Sequence, residues 1–370
     1  MNRTLVKGTV ALVLLVSWFA IPVAVQEKVA GDAGAYDLVP NWSFPYPKAG
    51  YVWGSVTGVF AESANRVFVV MRGEIKVPTP QPPTFGGFYG SFARNAIGAP
   101  GNEMKNCIFV LGADGRPLET WTQWDDLCPG VHKVRISPYD PERRVWVVNE
   151  RRNQVLVFSN DGKQLLMTIG EANVAGSDQT HLSRPQDLGF LPDGSVLVAD
   201  GNSRVVKFDK AGKFIMQWGA PGNQPGQFSS VHAIAVDKNR RVYIGDRGND
   251  RLQVFDEQGK FLAAWPNLNF LMDILVSDAT QDIWVDDNQT TKLIKFDASG
   301  TRHLEWDLHK GTPALPGLFY ELHQISVDPD GTLYGIDNVY GRIQKFRPKP
   351  GADKSKLILP PTPLMAKAAR

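Results

Sequence analysis

Three of the chain's six histidines, His132, His232 and His323, fall at the same position in alternate copies of an internal repeat. Neutral imidazoles are common zinc ligands, and three on one ion leave a fourth position for water or substrate. A single histidine there would read as channel-wall filler, whereas three at matched positions read as zinc ligands. Two arginines share a second register. Arg72 in VFVVMRGE and Arg247 in VYIGDRGN both follow the second strand of their copies, where the others carry Glu150, Gly201, Asn288 and Asn338. Two guanidiniums near one channel mouth suit a carboxylate-bearing substrate. His181, His303 and His309 lie outside the pattern and receive no role.

The elements that must position these residues follow from the repeat itself. Copies of about forty residues start near Thr57, His132, Gln186, His232, Met272 and His323. Each holds four apolar or alternating runs split by Asp-Gly, Asn-Arg or Ala-Gly turns, the pattern of a four-stranded antiparallel meander. Closing such units into a ring makes a β-propeller, so the fold expected is all-β with six blades of four strands. The innermost strand of each blade lines the central channel, and histidines in blades two, four and six would face one axis. The last copy supplies only three strands, so its outer strand is expected from the stretch around Tyr36 to Phe44, which also removes an exposed edge. Trp218, Trp265 and Trp306 end successive fourth strands and read as packing residues between blades.

Residues 36–347 are therefore expected to form one large domain, with a coil tail over 348–370. A formal net charge of +2 with 21% charged residues shows no basic stripe, which argues against a nucleic-acid partner. Arg3 and Lys7 precede an uncharged, mostly apolar run from Gly8 to Gln26, the layout of a signal peptide or an N-terminal anchor over residues 1–26. Export to a periplasmic or extracellular space is the expectation, with membrane contact only through that anchor. Cys107 and Cys128 either form one bridge or remain two unpaired thiols. The Pro-, Gly- and aromatic-rich segment between Gly73 and Asn106 is a candidate lid or substrate wall, or else a surface excursion.

The segments TGV before Val59, MRGE, GVHKV, SVHAIAV, DRGNDRLQVF and ELHQISV, with the stretch from Gly176 to Gly219, carry a more specific likeness. Over most of Ser55 to Phe346 the chain resembles the peptidyl-α-hydroxyglycine α-amidating lyases and, more broadly, the NHL-repeat propellers. That resemblance implies zinc on His132, His232 and His323, active-site arginines at Arg72 and Arg247, and cleavage of a C-terminal α-hydroxyglycine into a peptide amide and glyoxylate. It also implies structural calcium on the backbone carbonyls of Val59 and Val134. The family's aspartate after the third histidine is Gln324 here, which weakens a calcium site. The family's catalytic tyrosine is absent, since the chain runs Asp200-Gly201-Asn202-Ser203-Arg204. Tyr89 and Tyr340 are candidate replacements, and Glu321, two residues before His323, is a candidate base or fourth metal ligand. The alternative is a non-catalytic NHL-type propeller that binds a protein or glycan.

Overall fold

The structure, a computed structural model, describes residues 35–91, 101–308 and 319–367. The apolar run of residues 8–26 and His309 lie outside them. Six four-stranded antiparallel sheets follow one another along the chain as meanders. Their inner strands are Val56–Ser63, Val131–Ile136, Pro185–Phe190, Val231–Val236, Ile274–Val276 and Leu322–Val327. In blade six the outer strand is Tyr36–Val39, paired antiparallel with Arg342–Pro348, so the chain's beginning closes the ring as its repeat count requires. The fold is thus the six-bladed propeller that the repeats predict.

Packing follows from strand alternation. Each blade buries both faces against its neighbours, which gives six apolar clusters, each spanning one blade interface. In blades four, five and six the phenylalanine toward the end of the third strand has a specific partner, an outer-strand tryptophan of the preceding blade. Trp265 stacks on Phe296 with ring centroids 5.1 Å apart, and Trp306 meets Phe346 edge-on at 5.9 Å. Trp218 approaches Phe255 at 6.2 Å. These contacts explain why the repeat keeps a tryptophan and a phenylalanine at those strand ends.

In five blades the inner strand opens with a β-bulge, which contains Thr57, His132, Gln186, His232 or His323. A bulge leaves its extra residue outside the ladder and re-aims its side chain. Here that turns the equivalent residues toward the channel. Blade five achieves the same by other means: its inner ladder begins only at Ile274, and the N–H groups of Met272 and Asp273 both donate to Asp286 Oδ1 at 2.7 Å.

Cys107 and Cys128 form a disulfide that closes a 21-residue separation between blade one and the turn before the inner strand of blade two. Closing a loop of that length restricts the unfolded chain, and the C107S/C128S double variant should lose about 3 kcal/mol. A drop of roughly 5 °C in the calorimetric midpoint is the expected reading for a domain of this size.

The segment after Arg72 is not bare loop. Glu74–Lys76 pairs with Tyr51–Trp53 and with Asn102–Glu103 in a small three-stranded sheet. The stretch leading to Tyr89–Ser91 returns to blade six, where Gly90 N–H donates to the Tyr340 carbonyl at 3.3 Å.

The tail has little regular structure but is tied down. Ile358 is fully buried, the Asp278 N–H donates to Pro360 O at 2.9 Å, and the Met365 N–H donates to Pro138 O at 3.0 Å. Asp278 belongs to blade five and Pro138 to blade two, on opposite sides of the ring. The tail therefore crosses the mouth at the ends of the inner strands, where Pro361, Thr362 and Leu364 help enclose a cavity of about 130 Å3 with Phe60, Ile234 and Ile325.

Candidate metal centre

The three histidines converge. Their ring centroids lie 4.7, 5.0 and 5.2 Å apart, all three residues are buried, and one ligating nitrogen from each falls within 4.8 Å of the others. Each ring is pinned the same way by the next blade. His132 Nδ1 bonds the carbonyl of Gln186 at 2.7 Å, His232 Nδ1 that of Met272 at 2.9 Å, and His323 Nδ1 that of Thr57 at 2.8 Å. Those carbonyls belong to the residues at the matched position of blades three, five and one. A carbonyl only accepts, so each Nδ1 carries the hydrogen and each Nε2 keeps a free lone pair. Burial holds all three imidazoles well below the usual histidine range, with Arg72 beside His132 and Arg247 beside His232 adding to it. Neutral nitrogen donors of this kind fit zinc.

Beyond the histidines, toward the far mouth, lies a cluster of charges that strand-by-strand reading missed. Lys133 is fully buried and donates to Asp273 at 2.7 Å, to the Met272 carbonyl at 2.8 Å and to Asp187 at 3.2 Å. Arg135 holds both oxygens of Asp187 at 2.9 Å and reaches Asp273 at 2.8 Å. Two cations thus balance two anions across blades two, three and five. Backbone donors extend the ties, with Ile234 N–H donating to Asp187 Oδ2 at 3.3 Å and Ile325 N–H to the second oxygen of Asp273 at 2.9 Å. The available signal was an acid directly after the channel position in both QDLGF and MDILV.

The calcium site that the resemblance implies, already weakened by Gln324, finds no support in this geometry. Gln324 spans the two backbone positions: its Oε1 accepts from Val59 N–H at 3.1 Å and its Nε2 donates to the Val134 carbonyl at 3.4 Å. Calcium takes about six to eight oxygens, several of them charged. A neutral amide already engaged on both sides does not fit that ion.

The two arginines prove unequal. Arg72 is neutralised by Glu150 at 2.6 Å, and Glu150 also accepts from Arg184 at 2.6 Å. Arg247 donates to Ser230 Oγ at 3.0 Å and contacts Met272 Sδ at 3.6 Å, with no carboxylate within salt-bridge reach among the described residues. Neighbouring Asp246 is taken by Arg251 at 2.8 Å, and Glu74 by Lys48, Tyr46 and Asn106. Burial lowers the Arg247 pKa, partly offset by Glu150 and Glu321. Glu321 lies outside the group of three ligand atoms. Tyr89 is buried against Val52 and Ile75, and Tyr340 lies 4.9 Å from Tyr320 by ring centroid. His181 pairs with Asp178 and His303 with Asp297, both at the surface.

Comparison with known proteins agrees with the fold and narrows the relatives. Residues 177–297 match the DUF5128 family, described as a 6-bladed beta-propeller. The chain is 38% identical over 105 residues to a peptidyl-glycine alpha-amidating monooxygenase of Mus musculus, covering 26% of this chain and 11% of that protein. It is 34% identical over 107 residues to a probable peptidyl-alpha-hydroxyglycine alpha-amidating lyase of Caenorhabditis elegans, covering 28% of this chain and 31% of that protein. A Homo sapiens NHL repeat-containing protein 3 is 29% identical over 164 residues, covering 41% of this chain and 45% of that protein. The matched region thus spans less than half of each of these relatives. Among solved structures, a streptogramin B lyase aligns with a TM-score of 0.50 at 13% identity over 85% of this chain and 99% of that one, a likeness of fold alone. The chain is a six-bladed β-propeller that resembles the peptidyl-α-hydroxyglycine α-amidating lyases and the NHL repeat-containing proteins in sequence.

Proposed function

We propose that the chain is an exported, zinc-dependent lyase that cleaves the N–C bond of a C-terminal α-hydroxyglycine, or of a close analogue, to give an amide and glyoxylate. The observation that carries this reading is the set of three buried imidazoles whose Nδ1 atoms are all engaged by matched carbonyls, leaving three Nε2 lone pairs for one ion. Bound there, zinc would acidify a coordinated substrate hydroxyl. Arg247, without a carboxylate partner of its own among the described residues, holds the substrate carboxylate and offsets its charge. Arg72 is oriented by Glu150 and contributes positive potential beside His132. Glu321 accepts the hydroxyl proton in place of the missing tyrosine; the C–N bond then breaks, the oxygen becomes the aldehyde of glyoxylate and the amide nitrogen takes up a proton. The tail across the far mouth leaves substrate to enter from the histidine side. The disulfide between Cys107 and Cys128 favours an oxidising compartment and so supports export.

Incubating the zinc-loaded protein with a hydroxyglycine-capped peptide should release glyoxylate, with the release abolished by chelator and restored by zinc. No release at any metal loading rejects the lyase and leaves a binding propeller.

A further inference from the structure

The connection between blades four and five, residues 267–272, holds a bulky aromatic in an uncommon conformation. Phe270 has φ 57°, in the left-handed region, where residues with a Cβ are strained. Such strain persists only where the surroundings impose it. Here they do: Phe270 N–H donates to Asp250 Oδ1 at 3.1 Å, Asn269 N–H donates to Asp287 Oδ2 at 3.2 Å, and Leu268 and Leu271 on either side are fully buried. Between those two anchors the Phe270 ring is turned outward and is 42% exposed.

Its placement is not arbitrary. The Arg247 guanidinium lies over the ring, 4.9 Å from its centroid. The same guanidinium touches Met272, whose carbonyl pins His232. An exposed apolar ring, an arginine without a carboxylate partner among the described residues and the imidazole triangle are thus contiguous. One side of the ring faces the guanidinium, and the remaining surface is open to a ligand.

We infer that Phe270 is a specificity-determining residue: with Arg247 gripping a carboxylate, its exposed ring receives the apolar side chain of the residue preceding that carboxylate-bearing unit. The inference rests on the proposed reading for its substrate, a peptide ending in a carboxylate, but not on the reaction. It names the preferred class as peptides with an aromatic or large aliphatic penultimate residue. Polar side chains would leave the ring in water and gain nothing from it.

The test is calorimetric titration of the full chain, with and without zinc, using N-acetyl-Phe-Gly, N-acetyl-Ala-Gly and the amide-capped N-acetyl-Phe-Gly-amide. The wild type should prefer the Phe over the Ala dipeptide by about tenfold, the value of a side chain partly buried on one ring. The capped ligand should bind far more weakly. In Phe270→Ala the preference should shrink to about twofold or less. Phe270→Gly should lose it as well while raising the thermal midpoint, since glycine relieves the strained φ; a folding defect would move both readings downward. Equal binding of the two dipeptides by the wild type, a preference that survives Phe270→Ala, or no carboxylate-dependent binding overturns the inference. A clear preference without glyoxylate release would reject the lyase and leave this inference standing. Glyoxylate release that ignores Phe270→Ala would do the reverse.

Discussion

Lys133→Met should destabilise the propeller by about 3–5 kcal/mol, among the largest losses expected from any single substitution in this chain. The methionine fills much of the lysine's volume, so the effect is electrostatic rather than steric. Lys133 Nζ supplies hydrogen bonds to Asp187, Asp273 and the Met272 carbonyl, and no other cation than Arg135 reaches the two carboxylates among the described residues. Without it two buried anions face one guanidinium. The pH dependence has a defined sign. Burial alone would raise the Asp187 carboxyl, but Arg135 and Lys133 outweigh that and hold it below the ordinary carboxylate range. A depressed carboxylate stabilises the native state above its unfolded pKa, about 3.9, and loses that contribution as pH falls. The gap between wild type and Lys133→Met should therefore be fully open at neutral pH and narrow below about pH 4, where the stranded acids can take up protons. Urea unfolding at pH 7 and pH 3.5 measures both. An equal gap at the two pH values, or none at pH 7, contradicts the assignment.

His232→Ala should cost more than about a hundredfold in zinc affinity, since it deletes a ligand where loss of a supporting partner alone costs about 10–100-fold. The same change should leave the metal-free fold nearly intact. The carbonyl that His232 engages, on Met272, keeps its bond from Lys133, so no buried acceptor is orphaned. Competition against a chromogenic chelator, read beside a metal-free thermal melt, separates the two effects. A large loss of metal-free stability with unchanged zinc affinity would mark His232 as wall packing.

Much of this architecture is legible in the residues. The strand count, the alternate-blade register of the histidines and the borrowed outer strand at Tyr36 all follow from period and turn chemistry, because a repeat fixes each position relative to its own copy. What one copy does across the channel is not in the period. Lys133 meets Asp187 and Asp273, 54 and 140 residues away, and the partner blades are set by ring closure. The acids stand one position beyond the channel residue, inside strands whose alternation otherwise looks ordinary. The inequality of Arg72 and Arg247 was equally hidden: both follow a second strand, and only the structure shows that Glu150 pairs with Arg72 while no carboxylate among the described residues pairs with Arg247. The capping of the Nδ1 atoms depends on bulges that displace one residue per strand, a feature without a composition signal. In blade five, where pairing starts late, Asp286 does the work of the missing ladder bonds through its side chain.

Cobalt(II) titration of the metal-free protein tests the three-imidazole centre most directly, because the ion's visible absorption reports coordination without any substrate. The account predicts a low-symmetry, four-coordinate spectrum that saturates at one equivalent, is displaced by zinc and is lost in His232→Ala. Absence of stoichiometric uptake, or an unchanged spectrum in that variant, would contradict it.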